Sequence, residues 1–291
     1  MKVMITGGSG YIGSAVLSRL VEHGHQVQAV VRSARSAEAV TRKGGTALLH
    51  DVTDVEWMTG RLRQTDAFVH TASPQDSGSA QFDDAILDAV TAAYAGTEKP
   101  YLHTGGVWVW GDSQHITEAS ERRPARLVAW RPEREARVLT SGLRASVIAP
   151  AVVYGNGGGL TNLIVQRPTA TDGVALLLGN GEQHWTTVHV DDLADLYTLA
   201  LDRAPGGETY IGASGENPTV REIAEAAFAP GTPLRGEGAA ATRLWLGADF
   251  ADALLLDQQA TGARARSALG WSPTRPSLIA QLTADRAPAH A

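Results

Sequence analysis

The chain contains no cysteine, so disulfides, thiolate zinc sites and cysteine nucleophiles are excluded, and a reducing cytoplasm is the compartment that fits. Lysine is nearly missing as well, occurring only at positions 2, 43 and 99, and arginine carries most of the positive charge. No stretch approaches the roughly 18 apolar residues of a membrane span. The N-terminus is strand-like from residue 2 and lacks the basic, apolar and small-residue regions of a signal peptide. A net charge of −6 gives no sign of a nucleic-acid partner. The nine histidines show neither zincin spacing nor a tight carboxylate cluster, so no metal site is expected.

What is present starts at once. Lys2 to Ile5 is a short apolar run fit for a buried strand. Thr6-Gly7-Gly8-Ser9-Gly10-Tyr11-Ile12-Gly13 follows, and Ser14 to Val21 reads as an amphipathic helix. Glycines at 7, 10 and 13 between a strand and a helix have a mechanism. Gly7 allows the tight turn, Gly10 lets backbone approach a pyrophosphate, and Gly13 lets the helix pack on the strand. The helix N-terminus then offers free N–H groups and partial positive charge to phosphates.

The chain has 291 residues, 43% of them hydrophobic, enough for one large domain or a domain with a lobe. Strand and helix patterns alternate, which argues for a parallel sheet covered on both faces. Strands are expected over 27–31, 46–49, 67–71, 101–104 and 145–148, with a last one over 209–211. Helices are expected over 81–94, 133–139, 191–201 and 219–228. A hairpin is expected over 176–185 around Asn180-Gly181, and a tail helix from about Asp257. Residues 230–250, rich in Gly and Ala, carry no clear pattern.

The ordered motifs resemble the short-chain dehydrogenase/reductase superfamily, specifically its extended and atypical branches, which include the epimerase/dehydratase-like proteins. The resemblance covers nearly the whole chain. It rests on Thr6 to Gly13, His50-Asp51-Val52-Thr53-Asp54, Val69-His70-Thr71-Ala72, Pro150 to Gly155, Val188 to Ala194, and Leu269-Gly270-Trp271-Ser272-Pro273. It implies an α/β fold, a doubly wound parallel sheet of the Rossmann type with a smaller C-terminal substrate lobe. The corresponding division is a nucleotide-binding domain over 1–155 and a lobe over 156–291, with 186–213 returning to the first domain.

The family's chemistry normally uses Tyr-x-x-x-Lys on a helix plus a Ser or Thr after strand five, with Tyr as general acid/base. This chain departs from that pattern. In the register adopted, Trp130 falls where Tyr is expected and Arg134 where Lys is expected. Indole N–H donates a hydrogen bond but does not shuttle protons near neutral pH. The hydroxyl region reads Thr104-Gly105-Gly106, leaving Thr104 as its only hydroxyl. Candidate catalytic residues are therefore Thr104, Trp130, Arg134 and Tyr154, with Arg131 and His189 as further sources of charge or a proton.

The resemblance places the cofactor on Gly7, Ser9, Gly10, Tyr11, Ile12 and Gly13, on Asp51 and Val52 at the adenine, on Ala72 and Ser73 along the dinucleotide, and on Pro150 and Val153 at the nicotinamide. Strand two ends Val30-Val31-Arg32-Ser33-Ala34-Arg35. It has no acid for a ribose 2′-hydroxyl, and an Arg fork suits a 2′-phosphate, so Arg32, Ser33 and Arg35 point to NADP. Trp108, Trp110, Trp130 and Trp185 fall in cleft-lining segments, which hints at an apolar or aromatic substrate. The expected activity is an NADP-dependent oxidoreductase acting on a small carbonyl or alcohol, as a monomer or homodimer. The alternatives are an epimerase or dehydratase with tightly held cofactor, and a non-catalytic NADP(H)-binding sensor or scaffold.

Overall fold

A computed structural model describes residues 1–74, 76–167, 169–170 and 172–286. The first half alternates strand and helix: β1 (Lys2–Thr6), α1 (Tyr11–Glu22), β2 (Gln26–Val31), α2 (Ala34–Arg42), β3 (Thr46–Leu49), α3 (Val55–Leu62), β4 (Ala67–His70), α4 (Ser79–Tyr94) and β5 (Tyr101–Thr104). A short strand β6 (Ser113–Ile116), helix α5 (Arg131–Leu139) and strand β7 (Ala145–Pro150) follow. Beyond these lie β8 (Val152–Gly155), β9 (Gly158–Gly159), α6 (Asn162–Val165), β10 (Ala175–Leu177), β11 (Thr187–His189), α7 (Val190–Arg203), β12 (Glu208–Gly212) and α8 (Val220–Ala227). The chain ends with β13 (Leu234–Gly236), α9 (Gly238–Leu246), α10 (Ala248–Leu254), β14 (Gln258–Ala260), α11 (Ala263–Leu269) and α12 (Leu278–Arg286).

Seven strands form one sheet in the order β12-β7-β5-β4-β1-β2-β3, every pair parallel. This is the doubly wound Rossmann arrangement. One face carries α1, α2 and α7, where Val16, Leu17, Leu20, Val40, Leu193, Leu196 and Tyr197 pack on Val3, Ile5 and Ala29. The other carries α3, α4 and α5, where Met58, Leu62, Ile86, Val90 and Val138 pack on Met4, Phe68 and Val147. Strands buried on both faces read as continuous apolar runs, which is why β1, β4 and β7 were visible in the sequence. Strand order reverses at β1 and β4, and such a switch point opens a crevice beyond the carboxyl ends of the strands.

The smaller apolar cluster brings Val152, Tyr154, Leu177, Trp185, Ile223 and Leu254 together. Here the sequence expectations need correction. Residues 176–185 are not a hairpin: β10 pairs in parallel with the distant β13, and Asn180 only turns the chain by accepting the Glu182 N–H at 3.1 Å. The tail helix does not start at Asp257, because β14 occupies 258–260 and pairs with β6, and α11 begins after the left-handed Gly262. The unpatterned stretch 230–250 holds α9 and the start of α10.

The C-terminal Leu269 to Pro273 motif is tied to the core by one residue of α7. Trp271 Nε1 donates to the Asp192 carbonyl at 2.7 Å. The buried Asp192 carboxylate accepts from Thr274 N–H at 3.0 Å and Arg275 N–H at 3.1 Å. Charged hydrogen bonds of this kind contribute roughly 1.5–3 kcal/mol each. Asp192→Ala should therefore lower unfolding stability by about 2–4 kcal/mol, measured by urea denaturation; a change below about 0.5 kcal/mol contradicts the tether.

Candidate functional site

The turn between β1 and α1 is fixed by close backbone contact. Gly7 has φ +74°, a left-handed value that favours glycine, and Gly10 N–H closes the turn onto the Gly7 carbonyl at 2.8 Å. A Cβ on Gly13 would lie 2.2 Å from that carbonyl and 2.4 Å from Thr71 Oγ1. Only hydrogen fits there, so the helix begins directly over the strand end. Gly10 is the N-cap and supplies no side-chain cap, whereas α2 and α3 are capped by Ser33 and Asp54. The first helical bond of α1 runs from Ser14 N–H to Gly10. Among the described residues, the N–H groups of Tyr11, Ile12 and Gly13 have no backbone acceptor. Three free donors at a dipole's positive end, above the crevice, fit a pyrophosphate.

The other candidate cofactor residues follow the carboxyl ends of the parallel strands β1, β2, β3, β4 and β7. Ser9 is exposed and Ile12 half-buried. Tyr11 hydroxyl donates to the Gly155 carbonyl at 2.8 Å, tying α1 to the β8–β9 turn. Arg32 and Arg35 are exposed, and among the described residues Arg32 makes no ion pair. Ser33 is committed locally, capping α2 through Ser36 N–H at 3.2 Å. Asp51 accepts from Thr53 N–H and Oγ1, both at 2.9 Å, and these bonds hold its carboxyl below the usual range. Val52 is buried beside it. Ala72 and Ser73 follow β4 in half-buried coil, with Ala72 N against Gly7. Pro150 and Val153 are buried on either side of the β7–β8 junction.

The candidate catalytic groups are distributed differently from the sequence reading. Thr104 Oγ1 donates to the His70 carbonyl at 2.6 Å and meets Tyr197 hydroxyl at 2.6 Å, so the hydroxyl is engaged inside the fold. Tyr154 hydroxyl donates to the Pro276 carbonyl at 2.7 Å, and its ring meets His189 edge-on at 5.4 Å. Burial raises that phenol above its ordinary range. His189 caps α7, accepting Asp191 N–H at 3.1 Å, and burial lowers its imidazole. Arg134 is held by Asp84 on α4 at 2.9 Å. Trp130 is half-buried, with the Arg131 guanidinium 4.9 Å from its ring.

The sheet-facing side of α5 instead presents Arg131 and Glu135, four residues apart and so on one helix face. Arg131 Nη1 donates to the Thr104 carbonyl at 3.1 Å and the Gly105 carbonyl at 3.0 Å. Glu135 is 2% exposed, and its Oε1 would lie 2.4 Å from a Cβ on Gly105. A Cβ on Gly106 meets nothing within 4 Å, so that glycine faces open space. Trp110 and Trp185 are core residues, Trp185 donating to the Leu254 carbonyl at 2.9 Å. Of the four tryptophans, Trp108 and Trp130 stay half-buried, and Trp108 meets Phe250 edge-on at 6.2 Å.

A family model described as NAD(P)H-binding matches residues 7–202, which span the glycine turn, β5 and α7. The chain belongs to that NAD(P)H-binding family. It is 28% identical to an uncharacterized protein of Schizosaccharomyces pombe, over 98% of this chain and 99% of the relative. It is 25% identical to a 3-diazoavenalumate denitrifying reductase of a Streptomyces species, over 95% of this chain and 97% of the relative. A 4-hydroxy-2-methyl-3-oxo-4-farnesyl-3,4-dihydroquinoline-1-oxide ketoreductase of Stigmatella aurantiaca shares 27% identity, over 72% of this chain and 67% of the relative. The fold of this chain matches that of a dTDP-glucose 4,6-dehydratase from Streptomyces venezuelae with NAD bound, at TM-score 0.78 and 20% identity over 97% of this chain and 95% of that one. These relatives agree with an extended short-chain dehydrogenase/reductase and an NAD(P)-dependent, oxidoreductase-like protein with a nicotinamide dinucleotide cofactor. Among the described residues, no helix is long and apolar enough to cross a membrane.

One polar cluster beside the site escaped the sequence reading. His70 and His103 are register partners on β4 and β5, and Asp83 of α4 sits between them. His70 Nε2 lies 3.2 Å from Asp83 Oδ1 and His103 Nε2 lies 3.4 Å from Oδ2. Thr6 Oγ1 meets His70 Nδ1 at 2.7 Å and Tyr101 hydroxyl meets His103 Nδ1 at 2.8 Å, so every ring nitrogen is engaged. The signal was a pairing register, which spacing along the chain does not reveal. Burial opposes ionisation of Asp83, but hydrogen bonds from His103 and His70 outweigh it and hold the carboxyl below its usual range. A depressed carboxyl contributes stability above the unfolded value near 3.9 and loses it as pH falls through the folded value. The stability difference between the parent and Asp83→Asn should thus be largest above about pH 5 and shrink below about pH 4, read by urea unfolding. A difference constant from about pH 3 to 7 contradicts the ionised network.

Proposed function

We propose that the protein is an NADP(H)-dependent oxidoreductase acting on a small carbonyl or alcohol with an apolar or aromatic body. The observation that carries this reading is the uncapped start of α1 over the Gly7 to Gly13 turn, with exposed Arg32 and no acid at the end of β2. The bound cofactor supplies or accepts a hydride at nicotinamide C4. The chain's residues do the rest. Tyr11, Ile12 and Gly13 N–H groups hold the pyrophosphate, and Arg32 forks onto the 2′-phosphate with Arg35 near it. Asp51 and Val52 border the adenine. Trp108, Trp130 and Phe250 supply apolar surface for the substrate body, and Arg131 supplies positive charge at the end of β5.

A second reading is a non-catalytic NADP(H)-binding sensor. A specific observation favours it: the Thr104, Tyr154 and His189 side chains are each committed to internal hydrogen bonds. A carbonyl panel with NADPH separates the two, because turnover of any member supports the enzyme and binding without turnover supports the sensor.

Calorimetry tests the cofactor assignment. NADPH should bind at least tenfold more tightly than NADH. Arg32→Ala should weaken NADPH roughly tenfold or more and leave NADH nearly unchanged, as expected for loss of a charge-assisted contact of about 1.5–3 kcal/mol. Equal affinity of the parent for both cofactors would sink the assignment.

A further inference from the structure

The polar groups around the end of β5 are unusually short of partners. Of the buried side-chain nitrogens and oxygens without a hydrogen-bond partner among the described residues, Trp110 Nε1, Arg122 Nη1, Arg131 Nε and both Glu135 carboxylate oxygens lie together here. They form one physical group. Arg122 Nη1 is 3.2 Å from Glu135 Oε2, without hydrogen-bond alignment. The Arg122 guanidinium lies 3.9 Å from the centre of the Trp110 ring. Arg131, one turn before Glu135 on α5, is pinned to the Thr104 and Gly105 carbonyls by one nitrogen only.

Burial raises the Glu135 carboxyl above its ordinary value and lowers the Arg122 guanidinium, so both charges are held at a cost. A buried guanidinium with unused donors has a strong chemical preference. Its planar fork matches a carboxylate, and paired arginines raise the local positive potential. Glu118 also faces Arg122 and Asp83 also faces Glu135, so it is the unused donors, not an excess of positive charge, that a ligand would meet. The space beside Gly106, one residue from the Gly105 carbonyl that Arg131 holds, is open, because nothing lies within 4 Å of where a side chain would be.

We propose that Arg122 and Arg131 form a carboxylate-binding subsite at the side-chain-free end of β5, with Glu135 as the buried counter-charge that positions both. The substrate class is then an oxo acid or hydroxy acid rather than a neutral carbonyl compound. This rests on the reading of the cleft as the substrate site of an NADP(H)-dependent oxidoreductase. Arg122 arrives from the segment between β6 and α5. Arg131 is held by the β5 carbonyls, and Arg122 lies over the Trp110 ring beside Glu135.

The test uses the NADP⁺-loaded protein, in which an oxo acid binds without turnover. Three probes, phenylglyoxylate, 3-oxooctanoate and pyruvate, are each compared with their methyl ester by calorimetry. At least one acid should bind tenfold or more tightly than its ester. Arg122→Gln should remove that preference while leaving NADP⁺ affinity unchanged, with a lowered thermal midpoint because Glu135 loses its nearest cation. If no acid outbinds its ester by tenfold, or if the preference survives in Arg122→Gln, the subsite is wrong and Arg122 only latches its segment to Glu135. The two failures separate cleanly. Equal acid and ester binding in a protein that takes up NADP⁺ overturns the subsite alone, whereas a protein that binds no NADP⁺ overturns the oxidoreductase reading and the subsite with it.

Discussion

The approach of α1 to the end of β1 constrains everything on the cofactor side of the molecule. A single extra carbon on Gly13 would sit 2.2 Å from the Gly7 carbonyl, so the helix begins where it does only because that position carries hydrogen. The consequence is electrostatic. The uncapped first turn points its donors and the positive end of its dipole into the crevice between β1 and β4. Tyr11 then fixes the orientation by reaching across to Gly155. The same helix packs along α7, and α7 in turn holds the C-terminal segment through Asp192 and Trp271. The turn, the crevice and the far end of the chain therefore form one connected construction.

The opposite side of the crevice is built on a different economy. The end of β5 carries Gly105 and Gly106, and the volume beside Gly105 is taken by the Glu135 carboxyl from α5. A hydroxyl is present one residue earlier, but Thr104 spends it on His70 and Tyr197. The Asp83 network lies directly behind β4 and β5 and satisfies the imidazoles of both strands. Fully paired polar groups thus lie behind β4 and β5, and the less fully paired Arg122, Arg131 and Glu135 lie beyond the end of β5.

Much of this was legible in the sequence. The glycine turn and the central parallel strands were readable because buried parallel strands are continuous apolar runs and because glycine spacing has a steric cause. The face of α5 was not. Which side chains of a short helix look inward depends on where the helix starts, and a one-residue change rotates the face by about 100°. The adopted register paired Trp130 with Arg134, whereas the folded helix starts at Arg131 after a tight turn at 126–128 and turns Arg131 and Glu135 to the sheet. The His70 and His103 pairing was hidden for a similar reason, since only strand register brings them level. The parallel pairing of β10 with β13 depends on contacts far apart in the chain, and the Asn180-Gly181 turn signal was real but did not join two strands.

The most direct measurement is a crystal structure of the protein with NADP⁺ bound. The pyrophosphate oxygens should lie within hydrogen-bond distance of the Tyr11, Ile12 and Gly13 N–H groups, with the 2′-phosphate at Arg32. The nicotinamide should lie over Gly105 and Gly106, with Arg131 the cation nearest the reacting carbon. A dinucleotide bound away from the start of α1, or with its nicotinamide turned away from the end of β5, would contradict the account.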